Sequence, residues 1–129
     1  MRILLDTHAL LWWLTDDARL SSRAREVVGD LENTVLVSAA SQAWEIATKH
    51  RLGKLQIGGV VIQRFDELVT ADGFTHLAVN YSQAIHAGTY PVDHRDPFDR
   101  ILAAQTELEQ IPFLTTDPAL RDFPIRCIW

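Results

Sequence analysis

With 129 residues, 47% of them hydrophobic and 22% charged, the chain has the size and balance of one ordinary globular domain, neither disordered nor built of several units. Its single cysteine, Cys127, excludes an internal disulfide and a thiolate metal site, and fits a reducing compartment. The net charge of −5 weighs against a nucleic-acid binder with a broad basic face, so phosphate contact would need bound cations or local basic groups.

Taken in chain order, the sequence alternates strand and helix. Arg2–Leu5 is an apolar run that Asp6 and His8 interrupt before it reads as a signal peptide. His8–Leu14 is helix-length and apolar. Ser21–Leu31 carries alternating charge and reads as an exposed helix capped by Ser21 or Ser22. Val35–Val37 is a buried strand in character, and Ser38 caps a helix over Ala39–Arg51 that Gly53 stops. Val60–Val69 has helical apolar spacing, Thr75–Val79 reads as a third strand, and Ser82–Ala87 as a short helix. A loop through Pro91 to Arg95 leads to the clearest helix, Pro97–Glu109, which ends before Pro112. Phe113–Thr115, a turn over Pro118–Arg121 and a last strand, Ile125–Ile128, complete the pattern. The expected fold is α/β: a three-layer α/β/α sandwich on a central, mostly parallel sheet of about five strands, with residues 1–129 as a single domain. No stretch approaches the ~20 apolar residues of a membrane span, so a cytoplasmic protein without membrane partners is expected.

Each acid on the chain has an ordinary explanation when taken alone. Asp6 can cap the helix that follows it, and Asp117 and Asp96 each precede a proline at a helix start. Asp99 stands where a capping box puts its acid, and Glu45 lies four residues before Lys49, as in a surface ion pair. Together they read differently. In a parallel sheet with right-handed crossovers the strand carboxyl ends share one edge, where ligands bind. Asp6 ends the first strand, Asp117 follows the fourth, and Asp99 starts the helix leading into that fourth strand, so topology carries all three to that edge. Glu45 lies about two turns into its helix. Clustered carboxylates repel one another unless hard divalent cations are present, and oxygen ligands favour Mg²⁺ or Mn²⁺ over zinc.

The segments ILLDTHALLWWL, SAASQAWEIATKHRLGKL, HRDPFDRILAAQ and LTTDPAL, in this order, resemble PIN-domain nucleases, specifically VapC-type toxins of type II toxin–antitoxin pairs. The resemblance spans nearly the whole chain. It implies an α/β/α sandwich and an endoribonuclease that hydrolyses RNA phosphodiesters with metal-activated water, using Mg²⁺ or Mn²⁺. By position, Asp6 and Asp99 resemble the principal metal ligands, and Glu45 and Asp117 the other catalytic acids. Asp96 is an extra acid that reads first as a helix cap and second as a ligand. Thr115 and Thr116 resemble the hydroxyl pair before the last acid. Ser41-Gln42-Ala43 is one residue longer than the pattern before Trp44-Glu45, which bears on the helical phase of Glu45.

The resemblance also implies a homodimer and a cognate antitoxin. Adjacent Trp12 and Trp13 cannot both face one narrow stripe, so one of them is either core or partner-facing; Leu52, Leu55 and Ile57 pose the same choice between core and an apolar groove. Lys49, His50, Arg51 and Lys54 form one basic group and His94, Arg95 and Arg100 another. Arg100 is either an auxiliary phosphate contact or an ordinary helix-surface residue. Two rivals remain: a catalytically inactive binding module of the same fold, and a receiver-type Mg²⁺-binding signalling domain. The latter needs paired acids after the first strand and a late lysine, whereas Asp6 stands alone and no lysine follows Lys54.

Overall fold

The computed structural model describes residues 1–56 and 58–129. The elements run β1 (Arg2–Leu5), α1 (Thr7–Leu14), α2 (Ser22–Gly29), β2 (Thr34–Val37), α3 (Ala39–Arg51), α4 (Gly58–Gln63), α5 (Phe65–Ala71), β3 (Thr75–His76), α6 (Tyr81–Thr89), α7 (Pro97–Glu109), β4 (Phe113–Leu114) and β5 (Cys127–Ile128), with a 3₁₀ turn at Pro118–Asp122. The sheet order is β3-β2-β1-β4-β5 and every pairing is parallel, with Leu4 opposite Leu36 and Leu5 opposite Leu114.

Strand alternation builds the three layers. Ile3 and Leu5, Val35 and Val37, and Leu114 enter one core with Ala9 and Leu10 of α1, Ala24 and Val28 of α2, and Val69 of α5. Their in-between neighbours Leu4, Leu36 and Phe113 enter the other core, with Leu102, Ala103 and Ala104 of α7 and Ala87 of α6. Successive side chains leave a strand on opposite faces, so each four-residue strand feeds both cores. The central strand β1 is flanked on both sides, and the chain leaves it first towards β2 and later returns beside it as β4. That reversal places a switch-point crevice at the carboxyl ends of β1 and β4.

Several boundaries differ from expectation for local reasons. The helix expected over Val60–Val69 is two helices, broken at Arg64, whose backbone turns to φ −127 and ψ 22. The break lets Val61 pack with Leu11 and Ile46 while Val69 reaches the sheet core. β3 stops at His76, short of Val79, and the chain instead prepares α6, where Asn80 and Gln83 form a reciprocal capping box. β5 begins at Cys127, not Ile125, because the Ile125 N–H turns back to the Phe123 carbonyl at 2.8 Å. Ser21 caps α2 by accepting from the Ala24 N–H at 3.0 Å. Ser38 occupies the cap position of α3, but its side chain makes no capping bond; Gln42 Oε1 accepts the Ser38 N–H at 3.0 Å in its place. Gly53 adopts φ +75 and ends α3, with the Lys54 N–H donating to the Lys49 carbonyl at 2.8 Å.

Trp12 and Trp13 both pack partly against the first core, Trp12 edge-on to Trp129 and Trp13 beside Phe74 with its indole N–H on Asp72 at 3.0 Å. Leu55 joins the small core around Ile46, Leu52 is exposed, and Ile57 lies outside the described residues. Among the described residues no helix is long and apolar enough to cross a membrane.

Candidate active site

The crevice is built from three directions, beginning with the sheet edge. Asp6 follows β1, held there by its N–H donating to the Leu114 carbonyl at 3.0 Å. Its backbone has the cap position of α1, yet its side chain caps nothing. Its Oδ2 instead accepts from the Thr115 hydroxyl at 2.7 Å, and that hydroxyl oxygen accepts from the Asp117 N–H at 3.1 Å. Thr115 therefore ties the ends of β1 and β4 together in a buried bond.

From α3 comes Glu45, which is 2% exposed. It shares the inward face of its helix with Ser41, Gln42 and Ile46. The Thr7 hydroxyl donates to Glu45 Oε1. Gln42 Nε2 donates to the Leu5 carbonyl at 2.8 Å and to the Thr7 hydroxyl at 3.3 Å, which fixes α3 against the β1–α1 junction. Lys49, one turn on, donates to Glu45 Oε2 and, at 3.0 Å, to Asp96 Oδ2.

The third direction is the start of α7. Asp96 caps this helix through Oδ1, which accepts the Phe98 N–H at 2.9 Å, and Pro97 takes the first position, where its missing N–H costs nothing. Asp99, in the first turn, pairs through Oδ2 with His94 Nε2 at 2.9 Å. One oxygen from each of Glu45, Asp96 and Asp99 lies within 4.8 Å of the other two.

The electrostatics follow from burial. Asp99 is pushed up to about 7, mainly by desolvation; the His94 bond pulls it down, and the charges of Asp96, Asp6 and Glu45 push it further up. Asp6 is raised as well, by burial first and by Glu45, against the Thr115 bond and His8. Burial works against the charge on Lys49, but its bonds to Glu45 and Asp96 outweigh that and hold its pKa above the ordinary lysine value. A set of hard oxygen donors that repel one another at neutral pH is the donor chemistry that suits Mg²⁺ or Mn²⁺, so the residues fit a divalent cation.

The structure therefore brings Glu45, Asp96 and Asp99 into one cluster and sets Asp6 close enough to raise Asp99. Asp117 stands outside that group of three, one carboxyl oxygen, Oδ1, accepting the Ala119 N–H at 3.0 Å to cap the 3₁₀ turn. Thr116 is exposed. Arg100 sends its guanidinium to four carbonyls, that of Ala87 in the last turn of α6 and those of Tyr90, Val92 and His94 in the loop, at 2.7–2.9 Å. Those bonds make it the clamp of the loop before α7, in place of a phosphate contact or a solvated side chain. Sequence reasoning passed over Thr7 and His94 as partners of the acids, and Gln42 as the residue that docks α3 on β1. His94 precedes Asp99 by five residues across a proline, a spacing with no regular period to mark it.

The sequence profile of the PIN domain family matches residues 3–125. The chain belongs to the PIN domain family. No curated protein sequence matches it. Among solved structures, this PIN domain is similar to a chain of the crystal structure of VapBC2 from Rickettsia felis bound to a DNA fragment from their promoter. That match has a TM-score of 0.70 and 12% identity, and covers 99% of this chain and 98% of the other. At that identity the likeness concerns the fold, and with it the parallel sheet whose edge carries the acids.

Proposed function

We propose that this PIN domain is a metal-dependent endoribonuclease of the VapC toxin type, hydrolysing RNA phosphodiesters at the crevice of Asp6, Glu45, Asp96 and Asp99. The observation that carries the reading is the cluster itself, four carboxylates from three elements gathered at the switch point, with Asp99 pushed to about 7. A carboxyl perturbed by burial and by neighbouring charges in a crevice is the mark of a functional site. Asp6 and Asp99 would hold Mg²⁺ or Mn²⁺, with Glu45 and Asp117 as the further acids. When bound, the cation supplies Lewis acidity towards the phosphate and makes water a competent nucleophile at neutral pH. The chain's own part is positioning: Thr115 orients Asp6, His94 orients Asp99, and Thr7 and Lys49 fix the two oxygens of Glu45.

Two partners belong to this reading. The likeness to VapBC2 supports a cognate antitoxin. A homodimer is supported by exposed apolar side chains on α3 and α6, Trp44 (66% exposed), Tyr81 (81%) and Ile85 (62%). Two apolar hollows on this face, one of about 260 Å³ beside Trp44, share Pro97 and Ile101.

Cleavage of single-stranded RNA in Mn²⁺ tests the function, because unstacked bases are what such a crevice can admit. Wild type cleaves, EDTA abolishes cleavage, and Asp6→Asn or Asp99→Asn lowers the rate about a hundredfold or more. Cleavage that survives EDTA, or equal rates in all three proteins, contradicts the mechanism. Absence of any cleavage, with antitoxin binding retained, favours the inactive binding module.

A further inference from the structure

Lys49 sits inside the acid cluster, not beside it. Its ammonium donates to one oxygen of Glu45 and one of Asp96, with its side chain 26% exposed against 2% for Glu45. The remaining oxygens of these two carboxylates are also committed: Glu45 Oε1 accepts from Thr7, and Asp96 Oδ1 from the Phe98 N–H. Asp6 and Asp99 differ, each giving only Oδ2 to a neighbouring side chain, Thr115 and His94, and neither bonding to Lys49. Sites that use two divalent ions for phosphoryl chemistry hold them about 3.5–4 Å apart, each shared by carboxylates. Here a fixed ammonium already bridges two of the four acids, and it both repels a nearby cation and occupies the oxygens that cation would need.

Resting on the reading of this cluster as a cation site, we propose that it takes a single divalent ion, at Asp6 and Asp99, and that Lys49 supplies the second positive charge between Glu45 and Asp96. Lys49 is thus a positioning residue that sets the metal count. The probe is Mn²⁺ on the full chain, counted by calorimetric titration and read by electron paramagnetic resonance. Wild type and Lys49→Arg bind one equivalent with the spectrum of an isolated ion. Lys49→Met binds two, with the spectrum of a coupled pair; Lys49→Gln serves as the second neutral variant if Lys49→Met does not fold. Two equivalents in the wild type, or one in both neutral variants, overturns the proposal and leaves the cation site standing. No Mn²⁺ bound by any of the proteins overturns the proposal together with the site itself.

Discussion

The raised Asp99 carboxyl makes the stability of the metal-free protein depend on pH in a way that one substitution removes. In the folded chain Asp99 holds its proton up to about 7, against 3.8 as the ordinary value. A group whose pKa is raised by folding contributes its full stabilisation below the unfolded value and loses it as pH climbs through the folded one. Between about pH 4 and pH 8 the wild type therefore loses stability through Asp99. Three units at about 1.36 kcal/mol each give a loss on the order of 4 kcal/mol. Asp99→Asn keeps an oxygen that can accept from His94 but has no proton to lose. In urea unfolding with EDTA present, the wild type minus Asp99→Asn difference falls by several kcal/mol between pH 4 and 8. Mg²⁺ added at pH 8 restores stability to the wild type and little to the variant, since only a ligand that binds the folded form stabilises it. Parallel pH profiles for the two proteins would refute the assignment of a buried, mutually repelling Asp99.

Thr115→Val removes the hydroxyl that joins Asp6 at the end of β1 to the Asp117 N–H after β4, and urea unfolding detects a loss of about 1–3 kcal/mol. Arg100→Met frees the Ala87 carbonyl at the end of α6 and three loop carbonyls, costing at least about 2 kcal/mol and speeding amide hydrogen exchange between Tyr90 and Asp96 while the sheet amides stay protected. Ile85→Asp places a charge on an exposed position of α6, so it leaves the fold intact; under the proposed homodimer, wild type sediments as a dimer and the variant as a monomer. A dimer that persists would remove this face from the interface.

The fold was legible wherever periodicity was strong. Arg2–Leu5, Ala39–Arg51 and Pro97–Glu109 are found at the expected bounds because each carries its own clear signal: an apolar run ended by Asp6, a helix stopped by Gly53, and a proline at the first helical position. Two-residue strands such as β3 and β4 carry too little pattern to show where pairing ends. The break at Arg64 is invisible in the sequence because Val60 to Val69 keeps helical spacing; only the two separate destinations of Val61 and Val69 require it.

The acids divide along the same line. Topology placed Asp6 and Asp99 at the sheet edge without any side-chain knowledge. It does not reveal that Asp6 bonds to Thr115 in preference to its own helix, since capping and ligation look alike in a strand–Asp–helix junction. Glu45 and Lys49, four residues apart, have the spacing of a surface pair. Burial of Glu45 at 2% is a tertiary fact, set by Gln42 docking onto β1. Asp96 turns out to be both cap and cluster member, one oxygen for each, a combination that a choice between the two roles cannot express.

Anomalous diffraction from crystals holding Mn²⁺ at neutral pH tests the central claim most directly. The account predicts a peak at the carboxyl edge between β1 and α7, within bonding distance of oxygens from both Asp6 and Asp99. A protein saturated with Mn²⁺ that shows no peak there, or whose ion touches neither aspartate, would contradict it.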